Sequence, residues 1–295
     1  MPPDYEGTVR ITLHEALSEA PSQHAVLYIH GYVDYFFQHH MAESFTAAGI
    51  DFYALDLRKY GPSRMPHQHP DYCRDMEEYF PDIDTAIEYI GRTGAGDITL
   101  LGHSTGGLLA ALYCARGARR DDVARLLLNS PFLELNTSRF VRSVVVPAVT
   151  PLSVRFPYIK MRSMLPRVNF QCVHSSAHGE WDFDLRYKPP GGFPLYLAWL
   201  RAVRRGQKQV HAGLGLQIPV LSLCSAATYR GRAWAPEAMG ADSVLDAGDI
   251  ARRSAALGSD VRVERVAGGM HDLVLSPEPV RSRVLARMAA FVKGD

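Results

Sequence analysis

Mainly apolar runs of four to six residues recur along the chain, unbroken at Ala25 to Ile29 and Phe52 to Leu55 and carrying a single small polar residue at Ile98 to Leu101 and Ile218 to Leu223, with a shorter one at Leu126 to Leu128. Runs of that length with no polar alternation predict strands buried on both faces, as in a parallel sheet covered by helices. Two stretches alternate instead. Val9, Ile11 and Leu13 interleave with Thr8, Arg10 and Thr12, which predicts a half-exposed strand over Gly7 to His14 near a sheet edge. Val261-Arg262-Val263-Glu264 predicts the last strand in the same way. Between the strands the apolar period lengthens to three or four. Met41, Phe45 and Ala48 mark a helix from about Gln38 to the stop at Gly49, and Ile83, Ile87 and Ile90 mark one from Pro81 to Gly91. Thr105 to Gly117 and the run Val280, Val284, Met288, Phe291 give two more. Strands alternating with helices specify an α/β architecture with a mostly parallel central sheet and helices on both faces.

That rhythm breaks between residues 132 and 216. Prolines accumulate there, and so do the aromatics Trp181, Phe183, Tyr187, Phe193, Tyr196 and Trp199. The expected organisation is one core, residues 1–131 and 217–295, carrying an inserted cap at 132–216. The cap aromatics either line an apolar pocket or form the cap's own core. Arg201, Arg204, Arg205 and Lys208 read as a solvated helix face.

Composition narrows the class. The chain has 295 residues, 47% hydrophobic and 21% charged, with a formal net charge of +1. This balance suits a folded protein and gives no electrostatic case for nucleic acid. The polar, acidic start at Met1 to Glu6 lacks the pattern of a secretory signal, and the longest apolar candidate, Val141 to Val149, is too short to span a bilayer and is interrupted by Arg142 and Pro147. Cys73, Cys114, Cys172 and Cys224 form no CxxC pair and read as free thiols, so a cytoplasmic location is expected. His39-His40 and His67-Gln68-His69 lack a metal-site pattern, and no metal or cofactor is expected. The sequence leaves a homo-oligomer open.

The chemistry concentrates in Gly102-His103-Ser104-Thr105-Gly106-Gly107, between the strand ending at Leu101 and the helix that follows. A serine on so sharp a turn needs glycine two residues before and after it, and its hydroxyl then projects above the sheet edge. This strand, elbow and helix define the nucleophile of the α/β-hydrolase fold, whose chain order is serine, acid, histidine. His271, on the Gly-rich loop Ala267 to Asp272 after the last strand, is the expected base; Asp272 reads as a loop or helix-start residue. The acid should follow Ile218 to Leu223, yet an extra segment, Ser225 to Gly240, intervenes. Asp246 suits the N-cap of the next helix, with Asp249 three residues on, whereas Asp242 has no such structural duty. Asp242 is therefore the favoured acid, Asp246 the alternate, and Asp249 stands behind both. The oxyanion donors would be the backbone N–H groups of Tyr32, after the strand ending in His30-Gly31, and of Thr105. His30 itself reads as a packed histidine supporting that loop.

With these residues in view, the chain resembles the monoacylglycerol lipase and lysophospholipase-like branch of the α/β-hydrolases, sometimes grouped with serine aminopeptidases. The likeness rests on His30-Gly31, Asp56-Leu57-Arg58 through Gly61 and Ser63, Gly102 to Gly107, Asn129-Ser130-Pro131, Asp242-x-Val244 and Gly268 to His271. It covers most of the core and almost none of the cap. One departure stands out: the family pattern Asp-x-Arg-Gly-x-Gly-x-Ser carries Lys59-Tyr60 in its middle here, which should alter the loop near the site. The resemblance implies a serine esterase or lipase acting on a small lipophilic ester, acylglycerol- or lysophospholipid-like. An amidase, thioesterase or peptidase with the same triad, and a silent ligand-binding relative, are the alternatives.

Overall fold

The computed structural model describes residues 1–94 and 96–295. The first half of the chain builds β1 (Thr12–Ala16), β2 (His24–Ile29), α1 (His39–Ala47), β3 (Asp51–Asp56), α2 (Phe80–Thr93), β4 (Asp97–His103), α3 (Thr105–Arg116) and β5 (Val123–Asn129). The 132–216 segment then contributes a π-helical turn, Val141–Val145, continuing into α4 (Val146–Val149), followed by β6 (Lys160–Met161), α5 (Arg167–Val173), β7 (Leu195–Tyr196) and α6 (Leu197–His211). The chain closes with β8 (Val220–Ser225), α7 (Ala247–Ser254), β9 (Val261–Val266) and α8 (Val280–Lys293).

The central sheet has the order β1-β3-β2-β4-β5-β8-β9, parallel throughout except for the antiparallel edge strand β1. Alternation of side chains across the pleat divides each buried strand between two cores. Leu27, Ile29, Tyr53 and Leu55 pack with Ile83 and Ile87 of α2 and Leu108 and Leu112 of α3. Val26, Tyr28, Phe52 and Ala54 face the other way, onto Met41 and Phe45 of α1 and Met288 and Phe291 of α8. Burial on both faces is why these strands read as solid apolar runs. The β6 and β7 residues pair only with each other, outside the central sheet.

Two local expectations need correction. The edge strand begins at Thr12 rather than Gly7: Val9 is buried, but the backbone before residue 12 does not join the ladder. The basic face of α6 is not simply solvated. Arg204 donates to Glu134 Oε1 at 2.9 Å and to Gln207, with its side chain largely covered.

Lys59, the residue that departs from the family pattern, is fully buried with φ +69°. Its ammonium lies 2.7 Å from Asp4 and 2.9 Å from Glu6, and over the ring of Tyr5. The N-terminal segment folds over this loop because a buried lysine demands carboxylate partners. All four cysteines are free and buried, and burial pushes the Cys114 thiol up to about 12 and those of Cys172 and Cys224 up to about 11.

Candidate active site

Ser104 joins β4 to α3 with φ +52° and ψ −116°, a conformation that side chains rarely adopt. The neighbouring glycines make this turn possible by close approach. A Cβ on Gly102 would lie 2.5 Å from the carbonyl oxygen of Gly106, and one on Gly106 would lie 2.3 Å from that of His30. Phe132 N–H and Leu108 N–H both donate to the Ser104 carbonyl, and Ser104 N–H donates to Asn129, so the strained residue is fixed on several sides.

The C-terminal loop brings His271 to this elbow. Asp242 is wholly buried; it accepts from the Val244 and Leu245 N–H groups through Oδ1 and faces His271 through Oδ2. A carboxylate only accepts, so His271 Nδ1–H donates to Asp242 Oδ2 across 2.8 Å, leaving Nε2 to accept from the Ser104 hydroxyl at 3.1 Å. Ser104, His271 and Asp242 thus lie in one hydrogen-bonded chain. The extra segment after β8 makes room for Asp242 by an excursion that returns on itself. Tyr229 N–H donates to the Asp242 carbonyl at 2.7 Å, and Asp242 N–H donates to Ala227 at 2.9 Å. Asp246 lies elsewhere: it caps α7 by accepting from Asp249 N–H and pairs with Arg230. Asp249 turns to Arg142 and Arg252 rather than back to the cap.

Sequence reasoning missed the clamp behind His271. Asn129, at the end of β5, donates to Asp272 Oδ1 at 2.7 Å and accepts from Leu273 N–H at 3.2 Å. Gln38 donates to the other Asp272 oxygen, and Ser276 accepts from Met270 N–H. Asp272 is therefore more than a helix-start residue, because these bonds fix the backbone on both sides of the imidazole. The only hint in the sequence is a polar Asn closing the apolar run Leu126 to Leu128. His103 packs its ring 5.0 Å from that of His271, and burial lowers its pKa, so it sits there as a neutral ring. His30 accepts from Leu57 N–H through Nε2, while Nδ1–H donates to the Gly31 carbonyl, consistent with a loop support.

Tyr32 and Thr105 both border the cavity above Ser104. Thr105 begins α3, where first-turn N–H groups lack intrahelical acceptors and the helix dipole is positive. The cavity measures about 1020 Å³, including space open to solvent. Phe132, Phe170, Val173, Phe183, Leu195 and Trp199 supply much of its apolar wall. Of the six aromatics noted in the 132–216 segment, Phe183 and Trp199 line this cavity; Trp181 instead stacks on His40. Among the described residues, no cluster of three or more His, Cys, Asp or Glu side chains could hold a metal ion. His40 donates to the Val274 carbonyl, and His69 pairs with Glu6.

Known proteins can now be set beside this geometry. A monoacylglycerol lipase from Mycolicibacterium smegmatis is 30% identical over 163 residues, covering 54% of this chain and 55% of that protein, so the match spans about half of that relative. Among solved structures, the Paleococcus ferrophilus monoacylglycerol lipase superposes with a TM-score of 0.72 at 19% identity, over 96% of this chain and 98% of that one. A thermostable carboxyl esterase from Bacillus coagulans gives 0.71 at 15% identity, over 98% and 96%. At such identities these structures establish the α/β-hydrolase fold. The sequence model of the family described as serine aminopeptidase, S33, matches residues 20–224. That match covers more than half of the chain, which therefore belongs to the serine aminopeptidase S33 family of α/β-hydrolases.

Proposed function

We propose that this protein is a serine ester hydrolase acting on lipophilic monoacyl esters, with Ser104 as nucleophile, His271 as general base and Asp242 as the acid that orients it. The observation that carries this reading is the Ser104–His271–Asp242 hydrogen-bonded chain at the floor of a largely apolar cavity. His271 Nε2 takes the hydroxyl proton as Ser104 Oγ attacks the ester carbonyl. Asp242 holds the imidazole in the tautomer that leaves Nε2 unprotonated and stabilises the imidazolium that forms. The Tyr32 and Thr105 N–H groups receive the oxyanion, each contributing roughly 3 kcal/mol to the transition state by analogy with comparable donors. Collapse expels the alcohol with the proton from His271. Water, deprotonated by the same imidazole, then attacks the acyl-enzyme and releases the acid.

In this reading the 132–216 segment is a cap whose Phe170, Val173 and Phe183 receive the acyl chain. The lipase names among the relatives support an acylglycerol-like substrate. The test combines labelling by a fluorophosphonate probe with p-nitrophenyl esters of rising chain length, run beside amide and thioester analogues. Labelling and ester turnover that both vanish in Ser104→Ala are expected. An unlabelled wild-type protein would overturn the enzyme reading, and faster amide or thioester turnover would overturn the ester assignment.

A further inference from the structure

Three consecutive backbone N–H groups follow His30, and each is placed differently. Gly31 N–H donates to Asp34 Oδ2 at 3.4 Å, and Asp34 is in turn held by Lys188. Tyr32 N–H meets no backbone acceptor among the described residues, which is what a donor kept for the oxyanion requires. Val33 is only 2% exposed, yet among the described residues no backbone carbonyl accepts from its N–H either. A buried backbone donor needs a partner. The group that faces it is the carboxyl of Asp71, itself 2% exposed. We propose that Asp71 is a positioning residue, which holds the Val33 N–H and thereby fixes the oxyanion loop with the Tyr32 N–H turned to the Ser104 cavity. The catalytic consequence rests on the ester-hydrolase reading; the anchoring of the loop does not.

The loop needs such a grip. Val33 has φ +51°, an outlier for a β-branched side chain that persists only where the surroundings impose it. There is little room for another path, since a Cβ on Gly31 would lie 3.2 Å from Ser104 Cβ. Asp34 grips the N–H before Tyr32 and Asp71 the one after it. Planar peptides leave few dihedrals between those two points, so the pair of grips sets the direction of the middle N–H. Asp71 is anchored in its turn, because its own N–H donates to the Lys59 carbonyl at 3.0 Å. Lys59 is the buried residue that Asp4 and Glu6 hold.

Asp71 acts here as an uncharged acceptor. Burial pushes its carboxyl well above the usual carboxylate range, and the Arg64 charge and the Val33 N–H lower it only in part. Its Oδ2 is buried without a hydrogen-bond partner among the described residues, which a neutral acid tolerates far better than a carboxylate. Asp34, by contrast, has the Lys188 ammonium against it. A second ionised carboxylate behind the loop would oppose the oxyanion, whereas a neutral acid holds the backbone without adding charge.

The experiment compares Asp71→Gly with Asp71→Asn in the full chain. Residue 71 has φ +56°, a conformation that glycine and asparagine both adopt, so neither substitution strains the backbone. Asp71→Gly removes the acceptor and should lower kcat for a short p-nitrophenyl ester by about tenfold to a hundredfold, with KM unchanged. Asp71→Asn keeps a side-chain carbonyl in the same place and should recover most of that loss. Unchanged kcat in Asp71→Gly, a rise in KM alone, or an equal loss in both variants would overturn the proposal. Amide hydrogen exchange of the wild-type protein adds a readout that needs neither turnover nor a folded variant. The Val33 amide should exchange far more slowly than that of Tyr32, and should lose this protection in Asp71→Gly. Equal rates at Val33 and Tyr32 in the wild type would overturn the anchoring. If Val33 is protected through Asp71 but the wild type turns over no ester, the anchoring stands and the enzymatic reading falls.

Discussion

Lys188 Nζ lies 2.6 Å from Asp34 Oδ1, which joins the 132–216 segment to the loop that carries the Tyr32 N–H. Both side chains are largely buried at the cavity wall, with the ammonium also over the rings of Phe37 and Phe183. Burial alone would push the Asp34 carboxyl up, but the Lys188 charge and its hydrogen bond outweigh it and hold the carboxyl below its ordinary value. Because the folded value is depressed, the pair stabilises the fold above the ordinary carboxylate range and loses that contribution as pH falls through the folded value. Lys188→Met leaves a buried carboxylate without its main partner and should cost about 2 to 3 kcal/mol at neutral pH. The sign of the pH dependence should also invert. With burial unopposed by the ammonium, the carboxyl rises, so the variant should be relatively more stable in acid and lose stability as pH climbs. Thermal unfolding from pH 4 to 8, beside the double variant Lys188→Met, Asp34→Asn, checks this. A flat difference across that range would refute the pair's role.

The two acids considered for the site make opposite predictions. Asp242→Asn removes the acceptor that fixes the His271 tautomer, so turnover should fall by about 10⁴-fold with the fold intact. Asp246→Ala removes the cap of α7 and should cost about 1 kcal/mol of stability while leaving turnover near wild type. Steady-state rates and thermal midpoints of the two variants separate these roles. Normal turnover in Asp242→Asn would remove Asp242 from the mechanism.

The contrast also explains what the sequence could convey. The buried strands and the Ser104 elbow were legible because each is dictated locally, by two-faced burial in one case and by steric crowding in the other. Asp242 could be favoured only because Asp246 already had a capping duty. The backbone pairing of Ala227 and Tyr229 with Asp242 that closes the excursion leaves no local pattern. Arg204 was misread as solvated because its partner Glu134 lies seventy residues away. The Asn129 clamp was hidden for the same reason, since its partners follow at a separation of more than 140 residues. The burial of Lys59 likewise depends on Asp4 and Glu6, which no periodicity connects to it.

Glycine substitutions test the elbow without touching a reactive group. Gly106→Ala sets a methyl against two backbone oxygens, at 2.3 Å from His30 and 2.4 Å from Ile29, neither of which can rotate away. A loss of about 3 kcal/mol or failure to fold is expected, together with lost fluorophosphonate labelling. Gly91→Ala is the control. It lies inside α2, where an added Cβ meets nothing within 4 Å, and should stabilise the protein by about 0.5 to 1 kcal/mol. Urea unfolding of the two variants should therefore move in opposite directions, and a tolerated Gly106→Ala would contradict the crowding at the elbow.

Glu134 gathers the charges that tie the start of the 132–216 segment to the core. Its carboxylate accepts from Arg204 at 2.9 Å and from Arg253 at 2.8 Å, with Arg142 at 3.8 Å and His211 at 3.5 Å around it. Burial pushes the carboxyl up, but the Arg253 hydrogen bond and the charges of His211, Arg204 and Arg142 outweigh it and lower the pKa. The folded value is depressed, so the stabilisation is present above the ordinary glutamate range near about 4.3 and disappears as pH falls through the folded value. Glu134→Gln leaves the arginines without their shared counter-charge and should cost about 2 kcal/mol at pH 7, or roughly 5 °C in thermal midpoint. Once pH falls below that depressed value the wild-type carboxyl is itself neutralised, so the two unfolding curves should converge only in strong acid. Curves that remained separated in acid would mean that Glu134 acts through packing rather than charge.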